Sequence, residues 1–153
     1  MDCRIPDWLK IGLIALPFAA MSACAARPPA GDHPAISLQE LVGRGASEQS
    51  ERISVALFRF EPGTVARATY DQRGEEIFVV TRGHGDVLRD REIIAVGPGS
   101  VVRVPATIVR SLRVTGTEPF EFYAITTPAW TEDDDVEVST PANWAPATAR
   151  LGQ

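Results

Sequence analysis

The sequence predicts an all-β domain, a sandwich or barrel of short strands, beginning at Ile53. Three observations carry this prediction. Apolar and β-branched segments of four to eight residues recur from residue 53 onward. Gly, Pro and Asp turns separate them about every ten residues. No helical period of useful length appears after residue 45. The chain has 153 residues, 44% hydrophobic and 23% charged, enough for one domain with a real core. A net charge of −5 and the lack of any basic run exclude charge-driven binding to nucleic acid or to an anionic membrane surface.

The first element is a leader. Arg4 and Lys10 precede the apolar run IGLIALPFAA. That run is short of the roughly 20 residues a membrane span needs, and it suits an export signal over residues 1–23. The ending Met21-Ser22-Ala23-Cys24 resembles the bacterial lipobox, although Asp2 and Asp7 weaken the positive start. The resemblance implies cleavage before Cys24, lipid on that cysteine, and a membrane-anchored lipoprotein of the cell envelope on the periplasmic side. Ala25 follows the Cys where many inner-membrane lipoproteins carry Asp, which points to the outer membrane. The cysteine usage agrees with export. Cys3 and Cys24 are the only cysteines, so the body has no disulfide, thiolate nucleophile or zinc-thiolate site. Lys10 is the only lysine, which rules out Schiff-base chemistry in the body.

Residues 24–37 read as the lipid-attachment Cys and a Pro- and Ala-rich tether, with His33 as a solvated side chain. SLQELVGRG (37–45) reads as a short helix or a lead-in strand, and its GRG as a turn. The strands then follow in order: 53–60, 65–70, 75–81, 85–88, 93–96, 100–104, 108–115 and 120–126. Their stops are Pro62-Gly63, DQRG, RGHG, RDRE, GPG, Pro105, GTEP and Pro128. The Pro- and Ala-rich tail, 139–153, is expected to drape or dangle.

Two spacings make residues 53–135, within a β domain expected over 38–138, similar to a small single-domain cupin. The first cupin motif runs G, five residues, H-x-H, three or four residues, E, six residues, G. Here Gly63 is followed by five residues; Thr69 and Asp71 fill the two His slots; Glu76 and Gly83 close the motif at the right distances. The second motif runs G, five residues, P-x-G, two residues, H, three residues, N. Here Gly99 and Pro105 keep the punctuation, while Thr107, Arg110 and Val114 stand for the Gly, His and Asn. The resemblance covers just over half the chain and implies a double-stranded β-helix (jelly-roll) barrel. It further implies that Thr69, Asp71, Glu76 and Arg110 occupy the cup where the family binds a divalent metal.

Only Glu76 keeps the family's residue type. A guanidinium about 5 Å from a divalent ion, at an effective dielectric of about 20, would repel it by roughly 6 kcal/mol. The expectation is therefore no metal and no cofactor: Arg110 replaces the ion and pairs with Asp71 and Glu76. The register decides whether Glu75 or Glu76 faces inward. With Arg110 adjacent, Glu76 is expected to stay ionised. Arg67 and Arg103 are candidates for the pocket mouth, favouring an anionic ligand. His84 is expected exposed at a turn. The EDDD run (132–135) lacks calcium-loop spacing and reads as a solvated acidic loop. Phe120, Phe122, Tyr123 and Trp130 are read as packing against the barrel or a partner subunit, since small cupins often form homodimers through their sheets. No nucleophile–base pair is visible, so no catalytic residue is assigned.

These readings favour a metal-free, non-catalytic module that binds a small polar or anionic ligand or a protein partner. An isomerase- or lyase-type enzyme with an atypical divalent-metal site is the alternative. A structural envelope module with a packed barrel is the third reading.

Overall fold

The computed structural model describes residues 35–144. The leader, Cys24, the tether to residue 34 and the tail from residue 145 lie outside the described residues. The described chain is all β, in eleven strands: β1 (Ile36–Gly43), β2 (Glu48–Gln49), β3 (Ser54–Phe60), β4 (Ala68–Asp71), β5 (Glu75–Arg82), β6 (Gly85–Arg89), β7 (Glu92–Val96), β8 (Val101–Val104), β9 (Arg110–Val114), β10 (Phe120–Thr127) and β11 (Asp135–Val138).

They form two facing sheets. One has the order β2-β1-β3-β10-β5-β8 and the other β11-β4-β9-β6-β7. Strands consecutive in sequence often lie in different sheets, as in a jelly roll. The 37–45 segment is the strand β1, not a helix. It pairs antiparallel with β3, with a bulge between Glu40 and Val42, and this backbone pairing outweighs a sequence that is neutral between the two states.

Side-chain alternation places the core between the sheets. Phe60, Val80, Phe120 and Val114 pack one half, and Phe78 and Phe122 form its inner edge. The rings of Phe58 and Phe122 stack with centroids 5.2 Å apart, and Phe78 meets Phe122 edge-on at 5.5 Å. Phe120 and Phe122 are thus core residues, whereas Tyr123 alternates onto the outer face between Leu57 and Val79.

Two turns need their φ values. Gly83 sits at φ 73°, and a Cβ there would lie 2.3 Å from the Pro119 carbonyl oxygen, so only glycine fits. Thr107 stands where the cupin pattern carries Gly and takes φ 65°, a left-handed conformation costly for a β-branched residue.

The tail does not dangle at its start. Trp144 is fully buried, donates its indole N–H to Ser111 Oγ at 2.6 Å, and lies under the Arg113 guanidinium at 4.4 Å. Ser111 and Arg113 alternate with the inward-facing Leu112, so Trp144 packs on the outer face of the five-stranded sheet.

Candidate functional site

The strands that build the site are apolar at one end and polar at the other. The inward-facing residues run from Glu76 to Val80 on β5, from Arg110 to Val114 on β9, and from Phe120 to Thr126 on β10. The packed half of the barrel lies at the apolar ends. At the polar ends a cavity of about 490 Å³ opens between the sheets.

Register sets which side chains meet there. In antiparallel pairs, directly opposed residues point to the same face. Thr69 opposes Arg110, and Asp71 opposes Asp135, so β4, β9 and β11 present all four to the interior. From the other sheet comes Glu76, opposed to Thr126 and Val104.

The structure brings Thr69, Asp71, Glu76 and Arg110 into one network. Arg110 is its hub, with 9% of its side chain exposed. Its Nε donates to Glu76 Oε2 in a close ion pair. Nη1 donates to Thr69 Oγ1 at 3.0 Å, and Nη2 to Asp71 Oδ1 at 3.1 Å. Both terminal nitrogens also reach Asp135 Oδ1 at 3.5 Å. A guanidinium has about five N–H groups, so the network occupies all of them.

Three carboxylates around one guanidinium leave excess negative charge, and the titrations shift accordingly. Burial pushes the Glu76 carboxyl up to about 7, the nearby Arg110 only partly opposing it, with Asp71 and Asp135 adding to the rise. This corrects the expectation that Glu76 stays ionised. Asp71 is also raised, by burial first, against the pull of Arg110. Burial works against the charge of Arg110, but Glu76, Asp71 and Asp135 outweigh it and raise its pKa.

The donor set does not fit a divalent metal. One oxygen of each of Glu76, Asp71 and Asp135 is already held by the guanidinium, whose positive charge among them opposes a divalent ion. No group of three His, Cys, Asp or Glu side chains among the described residues is arranged to hold one.

Glu76, not Glu75, faces inward. Glu75 alternates to the outer face and pairs with Arg103. Arg103 is accordingly not at the pocket mouth. Its neighbours Val102 and Val104 point into the barrel, so period-two alternation turns Arg103 to solvent. Arg67 does line the mouth, where it pairs with Glu137 at 2.6 Å. His84 is exposed at its turn.

Asp135 is the residue that sequence reasoning missed. The EDDD run is only half a solvated loop. Glu132 and Asp133 are exposed, whereas Asp134 is buried and accepts hydrogen bonds from the backbone N–H groups of Arg73 and Gly74 and from Arg73 Nε. Burial works against the charge of Asp134, but these hydrogen bonds outweigh it and hold its pKa below the ordinary value. Asp135 starts β11. The alternation of DVEV (135–138) was the available signal for that strand.

The rest of the cavity is apolar. Ala56, Phe58, Phe78, Leu112, Phe122 and Ala124 form its walls. Ile36, Leu38 and Trp130 also line it and are exposed.

A facing pair of sheets with this strand order, and a polar cup between β4, β5 and β9, defines a cupin-type barrel. Residues 56–126, just under half of the chain, match the family model described as Cupin domain. Solved structures agree on the fold. KdgF from Halomonas sp. is 16% identical, with a TM-score of 0.57 over 67% of this chain and 87% of that one. A Streptomyces PAC13 variant with uridine is 18% identical, with a TM-score of 0.60 over 74% of this chain and 85% of that one. The DMSP lyase DddQ from Ruegeria pomeroyi DSS-3 is 19% identical, with a TM-score of 0.58 over 69% of this chain and 51% of that one. No curated protein matches the sequence.

Proposed function

We propose that the protein is an exported lipoprotein, anchored through Cys24 at the cell envelope, whose cupin domain binds a small ligand without metal or catalysis. The observation that carries this reading is the cavity of about 490 Å³, apolar along its walls and closed at one end by the Arg110 network. Its size falls within the roughly 300–1,000 Å³ of small-molecule sites. A barrel packed shut, as a purely structural module requires, would lack it.

The test is a ligand screen by thermal shift on the native protein and on Ala56→Phe, which fills the cavity from its wall. Compounds that raise the Tm of the native protein and not of the variant support the reading. Equal shifts in both, or none in either, refute it. Incorporation of labelled palmitate, lost in Cys24→Ser, tests the anchor. Elemental analysis tests the metal-free reading, and one bound divalent ion per chain would overturn it. We place homodimerisation on the outer face carrying Leu57, Val79 and Tyr123. Sedimentation of Val79→Arg as a monomer against a native dimer tests it.

A second reading rests on Glu76. A carboxyl that titrates near neutrality at a cavity has the pKa of a general acid or base. Turnover lost in Glu76→Gln with ligand binding retained would favour an isomerase or lyase over a binding module.

A further inference from the structure

The chemical class of the ligand follows from the donors and acceptors left free in the cavity. It rests on the ligand-binding reading above. An anionic group is held best by a free cationic N–H, and the closed end of the cup has none to offer. The N–H groups of Arg110 are taken by Glu76, Thr69, Asp71 and Asp135. Arg67, the other cation lining the cavity, is 74% exposed in solvent and pairs through Nη1 with Glu137.

Acceptors, by contrast, remain open. Among the described residues no buried side-chain N or O lacks a partner. Glu76 is only 6% exposed, and its Oε1 makes no hydrogen bond, so that oxygen opens onto the cavity. The Thr126 hydroxyl, 3% exposed and equally without a partner, opens the same way. Asp135 lines the same end with its Oδ2 free, and Glu40 adds a further carboxylate to the lining. Charge points in the same direction. Asp71, Glu76 and Asp135 face a single guanidinium, so the closed end is net negative.

We propose that the cavity takes a protonated primary amine with an apolar body, its ammonium donating to Glu76, Asp135 and Thr126 and its body lying against Phe58, Phe78 and Phe122. An ammonium has three N–H donors and no acceptor, the complement of this end. Stacked and edge-on phenyl rings supply the apolar wall and favour a cation near their faces.

The experiment compares three probes of one shape by calorimetry at pH 8: phenethylamine, phenethyl alcohol and hydrocinnamate. Displacement of Nile red, a neutral apolar dye, reports cavity occupancy separately. The expected result is that the amine binds about tenfold or more tighter than the alcohol. The acid is not expected to bind. The amine-to-alcohol ratio should collapse toward one in Glu76→Gln, and in Asp135→Asn should the first variant fail to fold. Equal binding of amine and alcohol, or tighter binding of the acid, overturns the amine assignment and leaves the ligand-binding reading standing. If neither the probes nor Nile red bind, both readings fall.

Discussion

Replacing Arg110 with Ala removes the only cation from the closed end of the cup and leaves three carboxylates facing one another. The Asp71 contact at 3.1 Å and the Asp135 contact at 3.5 Å are each worth on the order of 5 kcal/mol of gross attraction at an effective dielectric of about 20. Most of that is returned, because the guanidinium no longer has to be dehydrated. The net cost of breaking a buried pair from one side is about 3–5 kcal/mol. The cost depends on pH in a definite direction. Without Arg110, the carboxyls of Asp71 and Glu76, already raised by burial, rise further, and protonation relieves their repulsion. The destabilisation should therefore be near its full size at pH 8 and shrink to about half at pH 5. Urea unfolding followed by tryptophan fluorescence measures it. With a slope of about 2 kcal/mol per molar, the midpoint should fall by roughly 2 M at pH 8. A loss under about 1 kcal/mol at pH 8, or a loss larger at pH 5 than at pH 8, would refute the hub assignment.

Three further outcomes are expected. The folded protein holds the Glu76 proton more tightly than the unfolded chain does. Its contribution is thus fully present below about 4.5 and lost as pH rises through about 7, on the order of 3 kcal/mol in all. Glu76→Gln should flatten the stability profile between pH 5 and pH 8, and an unchanged profile would place the titration elsewhere. Thr107→Gly should stabilise the domain by about 1 kcal/mol, because Thr107 is exposed at φ 65° and loses no packing; a lower unfolding midpoint would contradict this. Trp144→Ala should cost about 3–5 kcal/mol by emptying the site over Ser111 and Arg113, and a cost under 1 kcal/mol would mean that the tail is not anchored there.

What the sequence made legible is what local periodicity and turn chemistry encode. Glycines at φ 84°, 73° and 87° are the motif glycines Gly63, Gly83 and Gly99, so the punctuation that identified the barrel is a set of backbone requirements. Thr69 and Asp71 share a face because they are two apart on one strand, which any reader of β4 can count. The features that escaped depend on partners remote in the chain. Asp135 joins the cup only because β11 pairs with β4 across more than sixty residues, and no local signal encodes that pairing. Arg103 was misplaced for the opposite reason. Its outward parity is readable from the alternation of VVRV, which places Val102 and Val104 inward. The Glu76 titration departs from expectation because burial, joined by the charges of Asp71 and Asp135, outweighs the pull of Arg110.

If the cup is metal-free as proposed, Arg110 changes more than its occupant. A divalent ion in such a site leaves coordination positions open and draws in ligand oxygens. A guanidinium enclosed by Glu76, Thr69, Asp71 and Asp135 spends its N–H donors inward and leaves carboxylate oxygens and a hydroxyl facing the cavity. On the proposed reading, such a cup favours cations over acids. Arg110→His restores the cupin residue type but not the metal site, since Thr69 still lacks a strong donor. It also frees Asp71 and Asp135 from their counterion. The variant should bind phenethylamine more tightly than the native protein at pH 8, where an imidazole is neutral and the three carboxylates have lost their cation. Weaker amine binding by a folded Arg110→His would show that the guanidinium itself, not the charge it leaves uncompensated, determines what the cavity accepts.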